Sequence, residues 1–363
     1  MSREAPPELL GQLAARPQRR LMALAGPLLG LALVIFAGGI AEYFKDGTLN
    51  YWSPQNQCLI LTQTVTVMAG AIGMTMIIIS GGIDLSCGSL IALASVSAAW
   101  IVRYFAPPDV AHLGGPEALW LPALAMAGGI LVGAAIGTAN GLLITRLSLV
   151  PFIVTLGMMS FARGAAKGIA RQQRIDAPVN WISDFTGFNV TLGDFNWAWG
   201  PFNWRGPVAI STAVVVTLIL AAAIALMLSR TRFGRHIFAI GSNEATARLC
   251  GVQVERTKLW MYGLAGSFFG LGGLVDYGRL TVGDPTTAMG KELDIIAAVV
   301  IGGGSLSGGV GSVAGSLIGA LLMAQLRNIC ARLDLQNFWQ EIVIGIVLVV
   351  AVKVDQMRQK RRG

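Results

Sequence analysis

The stretch Cys58–Ile79, CLILTQTVTVMAGAIGMTMIII, contains no charged residue over 22 positions. A bilayer core of about 30 Å requires about 20 such residues for one spanning helix. Across all 363 residues, 54% are hydrophobic and 13% are charged, about half the charged fraction of a soluble domain. The sequence therefore predicts an all-α, polytopic membrane protein. Comparable apolar blocks are Leu21–Ile40, Leu119–Ile144, Val208–Leu228 and Ile342–Val352.

The apolar blocks and the polar segments between them predict a helical bundle of about ten spans. Leu21–Ile40 follows a basic head and resembles the core of a secretory signal, but it is long for one, which favours a first span. We expect a cytoplasmic head (1–20), a membrane domain (21–353) and a basic cytoplasmic tail (354–363). The predicted spans are 21–41, 57–79, 83–104, 120–145, 150–169, 208–229, 259–278, 292–304, 311–329 and 338–354.

The distribution of charge predicts the orientation. With a cytoplasmic amino terminus, 16 of the 27 Lys and Arg residues fall on the cytoplasmic side, against five carboxylates. Basic residues are enriched on that side of membrane proteins, so both termini are expected in the cytoplasm. Four basic residues tell against this orientation locally because they fall outside: Arg163, Lys167, Arg171 and Arg174.

Composition argues against several other classes of protein. The net charge of +8 suggests nucleic acid, but the basic residues cluster beside apolar spans, so no nucleic-acid partner is expected. The four cysteines show no paired spacing, and the two histidines are far apart, so no metal or cofactor is expected. Residues 302–309 lack the Gly-Lys-Ser/Thr ending of a phosphate loop, which predicts that the chain itself does not hydrolyse ATP.

Two series of glycines recur every four residues and place small residues on one face of a helix. Such strips allow helix backbones to approach closely in a membrane, where no hydrophobic force drives helices together. They predict close packing and no specific chemistry. The series are Gly129, Gly133, Gly137 and Gly141, and Gly311, Gly315 and Gly319.

Two glycine-rich stretches interrupt the apolar runs. Residues 79–89, ISGGIDLSCGS, and residues 301–309, IGGGSLSGG, share a glycine cluster and a Leu-Ser step, which predicts a weak internal repeat of two halves. In transporters, interrupted helices at matching positions often lie near the transport path. The glycines expected to break the helices are Gly81, Gly82, Gly303, Gly304 and Gly308.

Asp84 is a carboxylate between two apolar spans, where exposure to lipid is costly. It can cap the following helix from its first turn, or it can be a polar contact in a transport path or gate; the two roles are compatible. Ser86 lies in the same stretch and is assigned to the same path or gate. Asn140 and Thr155 can bond across helices, which is the commoner use of such residues, or line the path.

Residues 171–206 form the longest predicted outer segment and interleave eight Phe and Trp residues with Asn, Asp and Gly. The commoner role of such a segment is to rest at headgroup depth, where amphipathic aromatic rings are enriched. A docking surface or a sugar-stacking rim is the alternative.

The largest predicted inner loop, 230–257, contains the signals of a two-turn helix. Ser242 or Asn243 can cap it, Glu244 suits its first turn, and Gly251 can close it. Glu244 and Arg248 are four residues apart with the acid first, the favoured orientation for an ion pair. Isolated helices of this length are marginal in water, so either a partner protein or the chain's own spans must hold this one.

Four motifs, in order along residues 57–353, resemble the ribose-type sugar permeases of bacterial ATP-binding-cassette importers. They are residues 79–89, residues 151–157 (PFIVTLG) with the following Arg163-Gly164, residues 241–252 (GSNEATARLCGV) and residues 292–303 (ELDIIAAVVIGG).

The resemblance implies a permease subunit of the bacterial inner membrane, paired with a second copy as a homo- or heterodimer. It implies two further partners, a cytoplasmic ATP-binding subunit and a periplasmic sugar-binding protein, and a monosaccharide substrate. The helix that begins near Glu244 is then the coupling element that sits in a groove on the ATPase. The coupling residues expected from the resemblance are Asn243, Glu244, Ala245, Arg248, Leu249 and Gly251.

Some positions depart from the family pattern. Cys87 replaces a usual valine, and Thr246 and Cys250 stand where alanine and serine are common. These residues are close in size to the usual ones and leave the resemblance intact. The aromatic outer segment is longer than expected, which leaves the docking surface and the sugar open.

Three alternatives remain. A secondary transporter driven by an ion gradient also uses broken helices, but it usually carries several ionisable residues at membrane depth, and Asp276, Glu292 and Asp294 lie near span ends. A membrane-embedded enzyme would need a nucleophile–base pair or a metal cluster, and the sequence indicates neither. Within the importer class, a nucleoside or another small polar solute can replace the sugar.

Overall fold

The structure is a computed structural model that describes residues 7–107, 110–187, 190–199, 202–336, 338–342, 345, 346, 349 and 353. Within these residues the chain is mainly helical. The helices are α1 Pro7–Asp46, α2 Pro54–Ile79, α3 Cys87–Phe105, α4 Glu117–Arg146, α5 Pro151–Ile169, α6 Trp181–Thr186, α7 Thr212–Arg230, α8 Arg232–Ser242, α9 Glu244–Leu249, α10 Val254–Leu280, α11 Lys291–Ile301 and α12 Val313–Arg332. The strands are β1 Ile175–Asp176, β2 Val190–Trp199, β3 Phe202–Ile210 and β4 Val282–Gly283.

Six helices in the described part of the chain are long and apolar enough to span a membrane: Leu24–Asp46 within α1, and α2, α3, α4, α7 and α12. The prediction of a polytopic helical membrane protein is therefore confirmed, but the count of about ten spans is not. α11 has 11 residues and rises about 16 Å, roughly half of a bilayer core. α10 corresponds to another predicted span but carries five charged residues.

The structure describes most of the predicted head of the chain but only part of the predicted last span and none of the predicted tail. α1 begins at Pro7, so the described part of the predicted polar head is helical and continuous with the first span. The Leu, Ala, Gln and Arg residues of this head have high intrinsic helix propensity. The predicted last span, 338–354, lies partly outside the described residues, and the described ones within it are helical. The predicted tail, 354–363, lies outside them.

Both glycine strips pack closely, but Gly311 lies in the second break and not on a helix, because α12 begins at Val313. A Cβ added to Gly133 or Gly137 of α4 would overlap backbone atoms of α10, and α4 packs on α10 more extensively than on any other described element. A Cβ added to Gly315 or Gly319 of α12 would overlap the carbonyl groups of Gly302 and Ala298 at α11. In both pairs the backbones are close enough that only glycine fits without a shift.

The breaks lie at one end of the bundle. α2 and α11 finish there, α3 and α12 begin there, and α9 packs there against the start of α10 through Ala247 and Val254. We call this the α9 end. The opposite end carries β2 and β3, which pair as an antiparallel hairpin, and we call it the hairpin end.

The hairpin is an addition that the all-α prediction missed. Its register places Trp197 opposite Trp204, so these side chains share one face with Phe195. Trp204 Nε1 donates to the carbonyl oxygen of Leu49 at 3.0 Å, which ties the hairpin to the segment between α1 and α2. The alternation of aromatic and polar residues from Asp194 onward has the period of two that favours a strand, and this signal could have found it.

Candidate functional site

The first break is a compact turn between α2 and α3. α2 ends at Ile79, and Gly81 has φ +82°, in the left-handed region that side chains disfavour. Asp84 Oδ1 accepts hydrogen bonds from the Ser86 amide at 2.8 Å and from Ser86 Oγ at 2.6 Å. Asp84 therefore closes a local turn three residues before α3 begins at Cys87. The prediction that it caps from the first helical turn was wrong in position.

The four residues assigned to the path or gate form one buried cluster. Asn140 Nδ2 of α4 donates to Ser86 Oγ at 3.0 Å and to Asp84 Oδ2 at 3.4 Å. Thr155 Oγ1 of α5 accepts from the amide of Leu85 at 3.2 Å. We call Asp84, Ser86, Asn140 and Thr155 the Asp84 cluster; it ties the break to two neighbouring helices, and all four residues are fully buried.

Two buried polar atoms beside the Asp84 cluster have no hydrogen-bond partner within the described residues, Asn140 Oδ1 and the hydroxyl of Tyr262. Tyr262 belongs to α10 and reaches the break, because a Cβ added to Gly82 would lie 2.8 Å from its hydroxyl oxygen. Sequence analysis did not single out Tyr262. The sequence around a single tyrosine in an apolar helix does not indicate which part of the fold the side chain contacts.

The second break joins α11 to α12. Gly303 has φ +92° and Gly308 has φ +87°, and the amide of Ser305 donates to the carbonyl of Val310 at 3.0 Å. Gly304 packs so closely on Val299 that a Cβ would lie 2.8 Å from the Val299 carbonyl oxygen. The five glycines predicted to interrupt helices thus all lie within the two breaks.

α9 is bounded at both ends by the signals that predicted it. Asn243 Oδ1 accepts from the amide of Thr246 at 2.9 Å, which caps the amino end. Gly251 has φ +80°; its amide donates to the Arg248 carbonyl at 3.1 Å, and the Val252 amide donates to the Ala247 carbonyl at 3.1 Å. This pair of hydrogen bonds closes the helix in a Schellman motif.

The charges of α9 form a small network. Glu244 accepts from Lys258 Nζ at 2.7 Å and pairs with Arg248 at 3.4 Å, and Arg248 also binds Glu255. The hydrogen bond from Arg248 lowers the pKa of Glu255 below its usual value. Sequence analysis predicted the Glu244–Arg248 pair, but it missed Lys258 and Glu255, which lie on α10.

α9 rests on the chain's own helices by one face only. Ala247 is 4% exposed and packs with Ile240 and Val254, whereas Leu249 is 89% exposed. The chain's own helices therefore hold one face of α9. The other face is open, so the alternative that a partner protein holds it also remains. The remaining predicted coupling residues that lie exposed with Leu249 are Asn243, Glu244, Ala245, Arg248 and Gly251.

α8 connects α9 to both breaks through a backbone junction. The amide of Gly309 donates to the carbonyl of Ile79 at 2.8 Å, joining the second break to the end of α2. Gly241 lies against this pair, since a Cβ there would overlap the Ile79 carbonyl and lie 2.6 Å from the Gly309 nitrogen. We call Ile79, Gly241, Gly308 and Gly309 the glycine junction. The two glycine-rich stretches of the weak internal repeat, residues 79–89 and 301–309, therefore meet at this junction.

A cavity of about 150 Å³ lies between the first break and α9. Its lining includes Gly82 and Tyr262 from the first side and Glu244 and Lys258 from the second. Within the described residues, no group of three His, Cys, Asp or Glu side chains is placed to hold a metal ion. The contacts of α8 and the glycine junction connect the exposed helix α9 to the two helix breaks.

Comparison with protein families matches residues 58–352 to the family described as branched-chain amino acid transport system / permease component. The ribose import permease protein RbsC of Escherichia coli K12 is 38% identical over 310 residues, 85% of this chain and 88% of that protein. RbsC of Bacillus subtilis is 34% identical over 93% of this chain and 94% of its own length.

The xylose transport system permease protein XylH of Escherichia coli K12 is 35% identical, over 86% of this chain and 87% of that protein. No solved structure matches the chain. The resemblance to ribose-type permeases found in four short motifs therefore extends over most of the length. The chain belongs to this family of permease components of transport systems.

Proposed function

We propose that the chain is the membrane subunit of an ATP-binding-cassette importer that carries a monosaccharide delivered by a periplasmic binding protein. ATP is hydrolysed in a separate cytoplasmic subunit, and two permease copies form the path. The proposal rests on one observation: α9 is exposed on one face and its supporting helix α8 touches both breaks. Relatives named for ribose, galactose and xylose favour a monosaccharide over a nucleoside.

The proposed orientation puts the α9 end in the cytoplasm, with both termini, and the hairpin end outside. Ten spans then follow if α5, α10, α11 and the predicted last span, 338–354, are counted with the six apolar helices. One of the four basic residues that fall outside in this orientation, Arg163, has a local structural role. Arg163 donates to the carbonyl oxygens of Pro285 and Thr287 at 2.9 and 2.8 Å, so its position serves local structure.

A change between the outward-facing and inward-facing conformations needs a ligand or partner whose interaction free energy with the protein differs between those two states. We propose that nucleotide binding closes the partner ATPase subunits and displaces α9. α8 passes that displacement to the glycine junction, and the Asp84 cluster transmits it to α4 and α5. The path then opens inward.

Reconstitution tests the function. This chain is combined in proteoliposomes with a candidate ATPase subunit and a candidate periplasmic binding protein, and uptake of labelled D-ribose, D-galactose and D-xylose is measured. We expect ATP-dependent uptake of at least one sugar that also requires the binding protein. Uptake by this chain alone under a sodium or proton gradient would instead support the secondary transporter.

Ala247→Pro tests the coupling role of α9. The Ala247 amide donates to the Asn243 carbonyl at 2.9 Å, and proline there removes this bond and crowds that carbonyl, at about 3 kcal/mol. We expect uptake to fall to background, while membrane insertion and yield stay unchanged. Cys250→Ser, at an exposed position on the same segment, is the matched control and should keep normal uptake. Wild-type uptake by the proline variant would contradict the coupling role.

A further inference from the structure

The Glu292-Leu293-Asp294 motif has no part in the mechanism proposed above. Asp294 lies in the first turn of α11, where an acidic residue complements the helix dipole. However, it is only 2% exposed, and its two oxygens differ. Arg327 of α12 donates to Oδ2 at 2.6 Å, whereas Oδ1 has no hydrogen-bond partner within the described residues. A buried carboxylate oxygen without a donor is destabilising, so an occupant that supplies one would be favoured.

Asp294 lines a cavity of about 610 Å³ between α2, α11 and α12, within the range of small-molecule sites. Gln63 and Thr64 line it from α2, and Arg327 and Asn328 line it from α12. Val67 and Met323 add apolar surface. The cavity therefore combines hydrogen-bond donors, acceptors and an apolar wall.

The charges of this cavity are largely balanced. Lys291 is paired with the buried Asp276 at 3.0 Å, and Arg327 is paired with Asp294. The remaining cation of the lining is Arg279, which is exposed at the end of α10. Two neutralised pairs suit an uncharged ligand with many hydroxyl groups better than an anion, because an anion would have to displace a carboxylate from its cation.

We propose that this cavity is a monosaccharide-binding station of the transport path. The Asp294 side chain turns toward the cavity so that a sugar hydroxyl donates to its buried Oδ1, neighbouring hydroxyls accept from Arg327 or Asn328, and the apolar face of the ring packs on Val67. The cavity is lined by the start of α11 and the later part of α12, away from the α9 end. In the orientation proposed above it therefore lies in the outer half, where a binding protein delivers its sugar. This inference rests on the proposed function.

The test uses the complete importer in proteoliposomes and the sugar that the wild-type complex transports best. Asp294→Asn keeps an accepting oxygen but removes its charge, and we expect uptake to fall about tenfold, the effect of replacing one charge-assisted hydrogen bond with a neutral one. ATP hydrolysis stimulated by the liganded binding protein should stay at the wild-type level, because α9 and the glycine junction are untouched. Asp334→Asn is the matched control, since Asp334 pairs with Lys45 but its side chain is 84% exposed outside the cavity.

A second measurement does not depend on uptake. Saturation-transfer difference NMR of the same sugar is recorded with the permease–ATPase complex in nanodiscs, without the binding protein. We expect transfer to ring protons in the wild type and loss of it in Asp294→Asn. Gln63→Leu, which changes an exposed side chain of the lining, should weaken it with normal yield.

The outcomes separate the two proposals. If the wild-type importer transports the sugar and Asp294→Asn transports and binds it equally well, the station is refuted and the function stands. If the wild-type importer transports no monosaccharide, the proposed function itself fails.

Discussion

Asp84→Leu is expected to reduce the yield of detergent-stable protein about tenfold or more. Leucine removes the acceptor of two buried donors, the Ser86 amide and Ser86 Oγ, and one of the two acceptors of Asn140 Nδ2. Each buried donor left without a partner costs about 1–3 kcal/mol, against a total stability of about 5–15 kcal/mol for a typical domain. The turn between α2 and α3 would then be held to α4 only by the hydrogen bond from Asn140 Nδ2 to Ser86 Oγ.

Asp84→Asn is the matched comparison, because it keeps an oxygen that can accept from Ser86. The new amide group would lie where Asn140 Nδ2 now donates, so the Asn140 amide has to turn over to present its Oδ1, which has no partner in the described structure, as the acceptor. We therefore expect near-normal yield from the asparagine variant. A wild-type yield from the leucine variant would show that Asp84 has no important role.

The same pair of variants separates the two roles of Asp84. If Asp84→Asn has normal yield and normal uptake, the carboxylate serves the turn alone, since an amide replaces it. If its yield is normal but its uptake is reduced, the charge itself matters to the path or gate. Size-exclusion chromatography measures the yield, and sugar uptake by the reconstituted importer measures the transport.

Local signals in the sequence were sufficient for the elements of the site. The breaks follow from glycine clusters, and α9 follows from Asn243 at its start and Gly251 at its end, because caps and left-handed turns depend on a few adjacent residues. Asp84, Asn140 and Thr155 were each identified as polar residues in apolar surroundings. Their meeting in one cluster was not predicted, because it depends on how α3, α4 and α5 pack.

The missed residues share a physical cause. Lys258 pairs with Glu244 across 14 positions, and Tyr262 approaches the first break from α10. Both contacts join residues that are distant in sequence, so no local or periodic pattern indicates them. The length of α11 was overestimated for a different reason. The apolar run continues into Gly302 and Gly303, but the glycines end the helix while hydropathy stays high. Hydropathy measures burial in lipid and does not detect where a backbone turns.

Gly241→Ala is expected to disrupt the glycine junction and with it both folding yield and transport. The added methyl group would overlap the Ile79 carbonyl and lie 2.6 Å from the Gly309 nitrogen. Both obstacles are backbone atoms, one at the end of α2 and one in the second break, so neither can rotate away as a side chain can. Gly114→Ala is the matched control, because a Cβ at Gly114 meets nothing within 4 Å. It should keep normal yield and uptake.

The informative measurement is made on whatever Gly241→Ala protein assembles with the ATPase. α9 and its exposed face are unchanged in this variant, so docking of the ATPase should persist. Because α8 touches the end of α2 and the second break at the same point, forcing it away should disconnect both halves together. We therefore expect ATP hydrolysis without sugar uptake. If the variant imports sugar at the wild-type rate, motion of α9 must reach the path by the other contact available to it, through Glu244 and Lys258 to α10.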